Sequence, residues 1–308
     1  MKKINRREFI EAVAGIGAAL FLGGCGSKEQ GGAASGAVMR KPKRNIEGLV
    51  VASGADPERN TRAALDALGG MGKLVEKGDF VVIKPNIAWN RPPEAAATTN
   101  PKVVAELVRM CKEAGAGRIL VVDHIIDRPA EGVLGFTGIK DAAQKAGAEV
   151  RAAQNESDFV SVDIPKGRIL KSDTVIRDLV KADVFINVPV AKTHSATRLT
   201  LGMKNLMGCN WDRQAWHQSP SLDQCIADYV TAVRPDLTVL DATRILLTNG
   251  PKGPGETKDL GQVIAGTDPV AVDAYGATLF GLKPGEVSHI KLAEEMGVGK
   301  IGQRPRQV

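Results

Sequence analysis

Phe80-Val81-Val82-Ile83-Lys84-Pro85-Asn86 is four apolar residues, three of them β-branched, that stop abruptly at an ammonium, a proline and an amide. An apolar run this short and unbroken reads as a strand buried on both faces. The same pattern repeats outward from it. Apolar runs at Leu49 to Ala52, Ile119 to Val122, Val184 to Val188, Leu237 to Leu240 and Gln262 to Ala265 lie among helix-like segments at 57–68, 101–114, 139–146, 174–181, 220–233 and 269–280. Buried strands separated by helices predict an α/β fold, a mostly parallel layered sheet with helices on both faces. Residues 150–172 are more polar and are expected to form a small excursion from the sheet. Segments 192–219 and 243–259 read as long connections without a clear period, and such loops tend to carry function.

The polar residues fall just after the strands: Lys84-Pro85-Asn86, Asp123-His124, Ala191-Lys192-Thr193-His194, Asp241 and Thr267-Asp268. In an open parallel sheet these positions converge on a ligand crevice at the carboxyl ends of the strands. Lys84, Lys192 and Lys204 would repel one another there unless an anion or carboxylates lay between them, which points to a carboxylate or phosphate ligand. Lys84, Lys192 and His194 are the expected catalytic groups, His194 as proton carrier because imidazole titrates near neutrality and a neighbouring carboxylate would tune it. Asn86, Thr99, Lys204, Asn205, Asp241 and Asp268 are the expected substrate contacts. Asp123, Cys209, His217 and Asp273 offer mixed ligands for a divalent metal, although none has the spacing of a zinc finger or an H-E-x-x-H helix.

Bland readings compete. Asp268 before Pro269 and Asn100 before Pro101 are good helix N-caps. Asp273 shares an apolar helix face with Val270, Ala277 and Phe280, so a cation, a metal or several donors must meet its carboxylate. His289, on a late helix, reads as a hydrogen-bonded structural histidine. The stretch Gly202 to Cys209 is neither a Walker loop nor a dinucleotide fingerprint.

With 41 Lys+Arg against 35 Asp+Glu in 308 residues and 43% hydrophobic content, the chain is an ordinary globular protein rather than a disordered or multi-span one. A net charge of +6 and 4% aromatic residues give no nucleic-acid surface. The N-terminus has a cationic start, an apolar run from Val13 to Leu22 too short to span a bilayer, and Leu22-Gly23-Gly24-Cys25. Residues 1–24 therefore read as an export signal, with Arg6-Arg7 resembling the twin-arginine type and Cys25 as the lipidated first residue. Residues 25–45 would be a flexible tether to a membrane, and 46–308 the folded α/β domain. The expected location is the periplasm or cell envelope. Cys111 and Cys225 fall on helical apolar stripes and read as core thiols, and three mature cysteines cannot hold a four-cysteine cluster.

Ile83-Lys84-Pro85-Asn86, Thr98-Thr99-Asn100-Pro101, Val188-Pro189-Val190-Ala191-Lys192-Thr193-His194, Met203-Lys204-Asn205-Leu206-Met207-Gly208-Cys209 and Thr267-Asp268-Pro269-Val270-Ala271-Val272-Asp273 resemble, in order, the blocks of domain-of-unknown-function family 362. The resemblance runs from Val50 to Gly299 and supplies no reaction. Some members carry an added ferredoxin-like segment for iron-sulfur clusters; this chain departs from them, and no self-contained cluster is expected. A fainter similarity to the nickel-dependent lactate racemase catalytic domain, in the Lys-Pro-Asn turn and general layout, favours a small hydroxy acid or other carboxylate. The combined expectation is a cell-envelope enzyme that binds a small anion, with or without a metal. The alternative is a non-catalytic metal- or anion-binding lipoprotein, or a redox accessory that meets a redox partner.

Overall fold

The structure, a computed structural model, describes residues 46–308 together with Ala37, Met39 and Pro42. Residues 1–24, expected to be an export signal, and Cys25 lie outside the described residues, as does most of segment 25–45. The strands are β1 (Leu49–Ser53), β2 (Phe80–Pro85), β3 (Arg118–Asp123), β4 (Glu149–Ala152), β5 (Phe159–Asp163), β6 (Ser172–Ile176), β7 (Val184–Val188), β8 (Val190–His194), β9 (Arg198–Thr200), β10 (Leu237–Leu246), β11 (Thr257–Gly266) and β12 (Arg306–Gln307). The helices are α1 (Pro57–Ala67), α2 (Pro101–Glu113), α3 (Ala130–Phe136), α4 (Ile139–Ala146), α5 (Arg177–Lys181), α6 (Gly202–Asn205), α7 (Arg213–Gln218), α8 (Leu222–Ala232), α9 (Pro269–Thr278) and α10 (Ser288–Glu295).

The main sheet runs β12-β1-β11-β10-β7-β2-β3-β4, with β8 pairing to β10 and β9 to β8. Pairing is parallel from β10 through β7, β2 and β3 to β4, while β11 is antiparallel to both β1 and β10. The fold is therefore α/β, with a mostly parallel sheet in which β11 and the short β9 are reversed. Alternation along each strand feeds two cores. Val81, Ile83, Val121, Val184, Ile186, Leu237 and Val239 face the layer of α1, α2 and α4. Val82, Leu120, Val122, Phe185, Leu240 and Ala242 face the opposite layer of α8, α9 and α10. Both layers exclude water almost completely, which is why the strands read as continuous apolar runs.

Helix starts follow their local chemistry. Asn100 accepts a bond from Lys102 N at 3.0 Å and Asp268 accepts from Val270 N at 2.9 Å, each with proline opening the helix behind it. Two stretches differ from the sequence reading. Residues 174–181 open as strand β6 and become helical only at Arg177, because Val175 and Ile176 pair with β5 and bury against α8's layer. The stretch 192–219, read as a long connection, is instead the β8–β9 hairpin followed by short helices. The polar 150–172 stretch contains the end of β4 and then leaves the main sheet, as expected, as a two-stranded β5–β6 unit. Among the described residues no helix is long and apolar enough to cross a membrane.

The excursion is fastened by one carboxylate. Buried Asp228 on α8 accepts from Arg168 N at 2.8 Å, Ile169 N at 2.6 Å, Leu170 N at 2.9 Å and Gln224 Nε2 at 2.8 Å. Asp228→Ala orphans three backbone amides and is expected to lower the unfolding free energy by about 2–4 kcal/mol. Urea denaturation measures this; a loss under about 0.5 kcal/mol, the range of an ordinary surface change, would contradict the role.

Candidate functional site

After β2 the chain builds β3 and β4 on one side and then returns to lay β7 on the other, so the strand order reverses between β2 and β7. A crevice opens outside the carboxyl ends of strands at such a point. Here it is a cleft of about 540 Å3 whose lining includes Lys84, Asn86, Lys192, His194, Lys204 and Asn205, all expected from the sequence.

The deepest element is an ion pair. Lys84 at the end of β2 and Asp123 at the end of β3 meet at 2.8 Å, both almost fully buried. Lys84 Nζ also donates to Pro85 O at 2.7 Å and to Asn205 Oδ1 at 3.1 Å. Asp123 accepts from His124 N at 2.9 Å and Ile87 N at 2.8 Å. Asn205 Oδ1 accepts a second bond from Asn86 Nδ2 at 2.9 Å, which leaves Asn86 Oδ1 to accept from Lys192 Nζ at 3.1 Å. Gly208 passes over the pair so closely that a Cβ there would lie 2.7 Å from both Asp123 Oδ1 and Lys84 Nζ.

Lys192 and Lys204 have no such partner. Lys192 Nζ bonds Asn86 and Ala97 O at 2.5 Å, and Lys204 Nζ touches the Met207 thioether at 2.8 Å. Among the described residues no carboxylate lies within ion-pair distance of either. Burial pushes both amines down to about 7, helped at Lys192 by the charges of Lys84 and Lys204 and at Lys204 by Arg213. His194 accepts from Ala196 N at 3.1 Å through Nδ1, which assigns its proton to Nε2. Burial and the two lysines push it down to about 3. It is therefore neutral around pH 7, and the carboxylate tuning expected from the sequence is replaced by repulsion from ammonium groups.

His124 was placed at the crevice by its strand-end position but given no role, and the lining residues Arg213, Trp89 and Trp211 were not singled out by the sequence reading. His124 follows Asp123 at a strand end, so its position was readable; the others sit in aperiodic stretches that give no signal. His124 Nδ1 bonds Asn210 O at 2.9 Å, and the ring stacks on Trp211 with centroids 5.3 Å apart. The carbonyl assigns the proton to Nδ1 and leaves a lone pair on Nε2, while burial lowers the ring to about 4. Arg213 donates to His124 O, and its buried Nε has no partner.

Other expected site residues are employed elsewhere. Thr99 ties β2 to β7, accepting from Asn86 N at 2.9 Å and donating to Val188 O at 2.7 Å. Asp241 lies within β10 rather than at its end, on the same face as Leu237 and Val239. Its carboxylate therefore meets the start of α2, accepting from Asn100 N at 2.7 Å and Thr243 Oγ1 at 2.7 Å. Asp268 follows β11, whose reversed direction carries it to the end of the sheet opposite the cleft, where it caps α9 and accepts from Lys300 N at 2.9 Å. The metal set does not assemble. Asp123 is paired with Lys84, the buried Cys209 thiol is pushed up to about 12, His217 is exposed at the cleft, and Asp273 receives Gly202 N at 2.6 Å and Met203 N at 2.9 Å. Among the described residues no group of three or more His, Cys, Asp or Glu is arranged to hold a metal ion. Asp273 instead fastens α6, the helix that carries Lys204 and Asn205. His289 is structural, bonding Asp223 at 2.8 Å.

A family model described as Domain of unknown function (DUF362) matches residues 81–278. The chain is 28% identical over 247 residues to the thylakoid-associated protein sll1697 of Synechocystis sp., covering 77% of this chain and 74% of that one. Among solved structures it is similar to the lactate racemase apoprotein of Thermoanaerobacterium thermosaccharolyticum, at 12% identity and a TM-score of 0.49 over 78% of this chain and 58% of that one. A Thermotoga maritima protein gives 12% identity and a TM-score of 0.43 over 79% of this chain and 60% of that one. The chain thus spans less than two thirds of either solved structure.

The buried lysines generate a pH-dependent stability. An amine at about 7 in the folded state and about 10.4 unfolded binds fewer protons when folded, so its contribution to stability rises as pH climbs from 7 toward 10. Buried thiols act in the opposite direction above about pH 8.5, so the contrast is read as a difference between proteins. The stability of Lys192→Met relative to the parent is expected to fall by about 3–4 kcal/mol between pH 7 and pH 10. Urea unfolding across that range measures it, and a constant difference would refute the assignment.

Proposed function

The chain belongs to the DUF362 family, and from that premise we propose that it is an enzyme acting on a small anion, a carboxylate or a phosphate, held in the cleft between the ends of β2 and β7. One observation carries this reading: Lys192 and Lys204 bring two buried amines into one cleft with no carboxylate in ion-pair contact with either, Asp123 and Asp223 acting on them only from farther off. Burying an unpaired ammonium is costly, and an anionic ligand removes the cost by pairing with both. Arg213, with its buried Nε unpartnered, adds a third cationic donor.

Two neutral imidazoles supply the proton transfer. His124 presents a lone pair at Nε2 and acts as base; His194 presents a proton at Nε2 and acts as donor. Lys84 is held by Asp123 and keeps Asn205 and Asn86 oriented, so its role is positioning rather than anion contact. The reaction class is proton abstraction or donation on a substrate anchored through its negative group. The same reading makes the protein an exported lipoprotein tethered at Cys25. The N-terminal pattern supports this, and the thylakoid association given in the name of the relative sll1697 is in keeping with a membrane location only.

The test is isothermal titration of the full chain with acetate and inorganic phosphate. Above about pH 7 the amines lose their protons and the anion loses its partners, so affinity is expected to fall at least tenfold from pH 6.5 to pH 8.5. Lys192→Met and Lys204→Met are each expected to weaken binding at pH 6.5 by tenfold or more, about 1.4 kcal/mol. Binding that ignores both pH and substitution would sink the reading. Binding that follows them in a protein inert toward a panel of carboxylates and phosphate esters would make it a binding protein rather than an enzyme.

A further inference from the structure

The cleft is larger than its anion-binding end requires. A small acid of four or five heavy atoms displaces on the order of three waters, ~90 Å3 at ~30 Å3 each, whereas the cleft encloses about 540 Å3. Its remaining wall combines aromatic and apolar residues with polar ones, Arg128, Asp212 and Gln214 among them. The chain has only three tryptophans; Trp216 is buried in the core, and the other two, Trp89 and Trp211, are half-buried and line this cleft from separate loops. Each ring is held by a neighbour on one side. Trp211 stacks on His124 at an interplanar angle of 12°, and Lys252 Nζ lies 5.3 Å from the centroid of Trp89. Ile126, 45% exposed, continues the apolar surface. Fixed, partly exposed indole rings are suited to flat π-systems, which they bind by stacking.

Building on the anion-binding reading, we infer that the substrate is a planar aromatic acid, an arene bearing one carboxylate or phosphate, with its charged group on Lys192 and Lys204 and its ring against Trp89 and Trp211. The polar end fixes orientation and the aromatic wall fixes identity, the division of labour usual in small-molecule sites.

The probes are 2-naphthoate and acetate, titrated calorimetrically into the full chain at pH 6.5, with acetate competition to place the naphthoate in the same cleft. Naphthoate is expected to bind at least tenfold tighter than acetate. Trp211→Ala and, because Trp211 also packs on His124 and Phe159, the independent variant Trp89→Ala are each expected to weaken naphthoate at least fivefold while leaving acetate within twofold. Equal affinities for the two acids, or a preference unmoved by both variants, would overturn this inference and leave the anion site standing. Failure of both acids to bind would overturn the anion site and this inference with it.

Discussion

The site rests on one buried ion pair. Lys84 and Asp123 are taken out of water together, and that desolvation costs more than their attraction returns unless every remaining polar atom is bonded. Here the requirement is met: the ammonium spends its other hydrogens on Pro85 O and Asn205, and the carboxylate accepts the amides of Ile87 and His124. The consequence is directional. Because Asn205 Oδ1 is committed to Lys84 and Asn86, its Nδ2 must turn to Asn187, 2.9 Å away. Because Asn86 Nδ2 is committed to Asn205, its Oδ1 must face Lys192. A pair joining two strands thus sets the orientation of a group on a third.

The same scarcity of water governs the charges. With Lys84 neutralised, Lys192 and Lys204 are left without counterions, and burial pulls them toward the neutral amine. Their ammonium forms in turn help hold His194 neutral. An anion entering the cleft reverses the first effect by favouring the ammonium forms, and as it neutralises them it eases the second. If the cleft takes the proposed anion, the protonation state of the site is linked to occupancy, and binding would take up protons near neutral pH.

Much of this was legible in the sequence because it is local. Each central strand is covered on both faces, so 80–83, 119–122 and 184–188 announced themselves as unbroken apolar runs, and the residues after β2, β3 and β7 do reach one cleft. Lys84, Asn86, Lys192 and His194 came from that rule, while Lys204 and Asn205 came from the ammonium and amide set among small residues at 202–209. The rule failed at Asp268 because it presumes that strands run one way, and the reversal of β11 is set by pairing with β1, about 200 residues back in the chain, and with β10, rather than by anything in Val263 to Gly266. Asp241 failed for a related reason: β10 continues to Leu246, so the aspartate is interior and its face is fixed by the period of two. Arg213, Trp89 and Trp211 lie in aperiodic loops whose destinations only tertiary packing decides.

Residues 202–209 show why the chemistry had to be non-local. A four-residue helix cannot sustain itself, since nucleation costs more than so few hydrogen bonds return. Asp273 provides the missing free energy by accepting Gly202 N and Met203 N, and Gly202 has no Cβ because one would lie 2.7 Å from that carboxylate. Gly208 closes the other end against Lys84 and Asp123. The carboxylate that looked from the sequence like a metal ligand is thus an anchor, and Lys204 and Asn205 are held in place from both sides, by Asp273 at one end and by the close approach of Gly208 to the Lys84–Asp123 pair at the other.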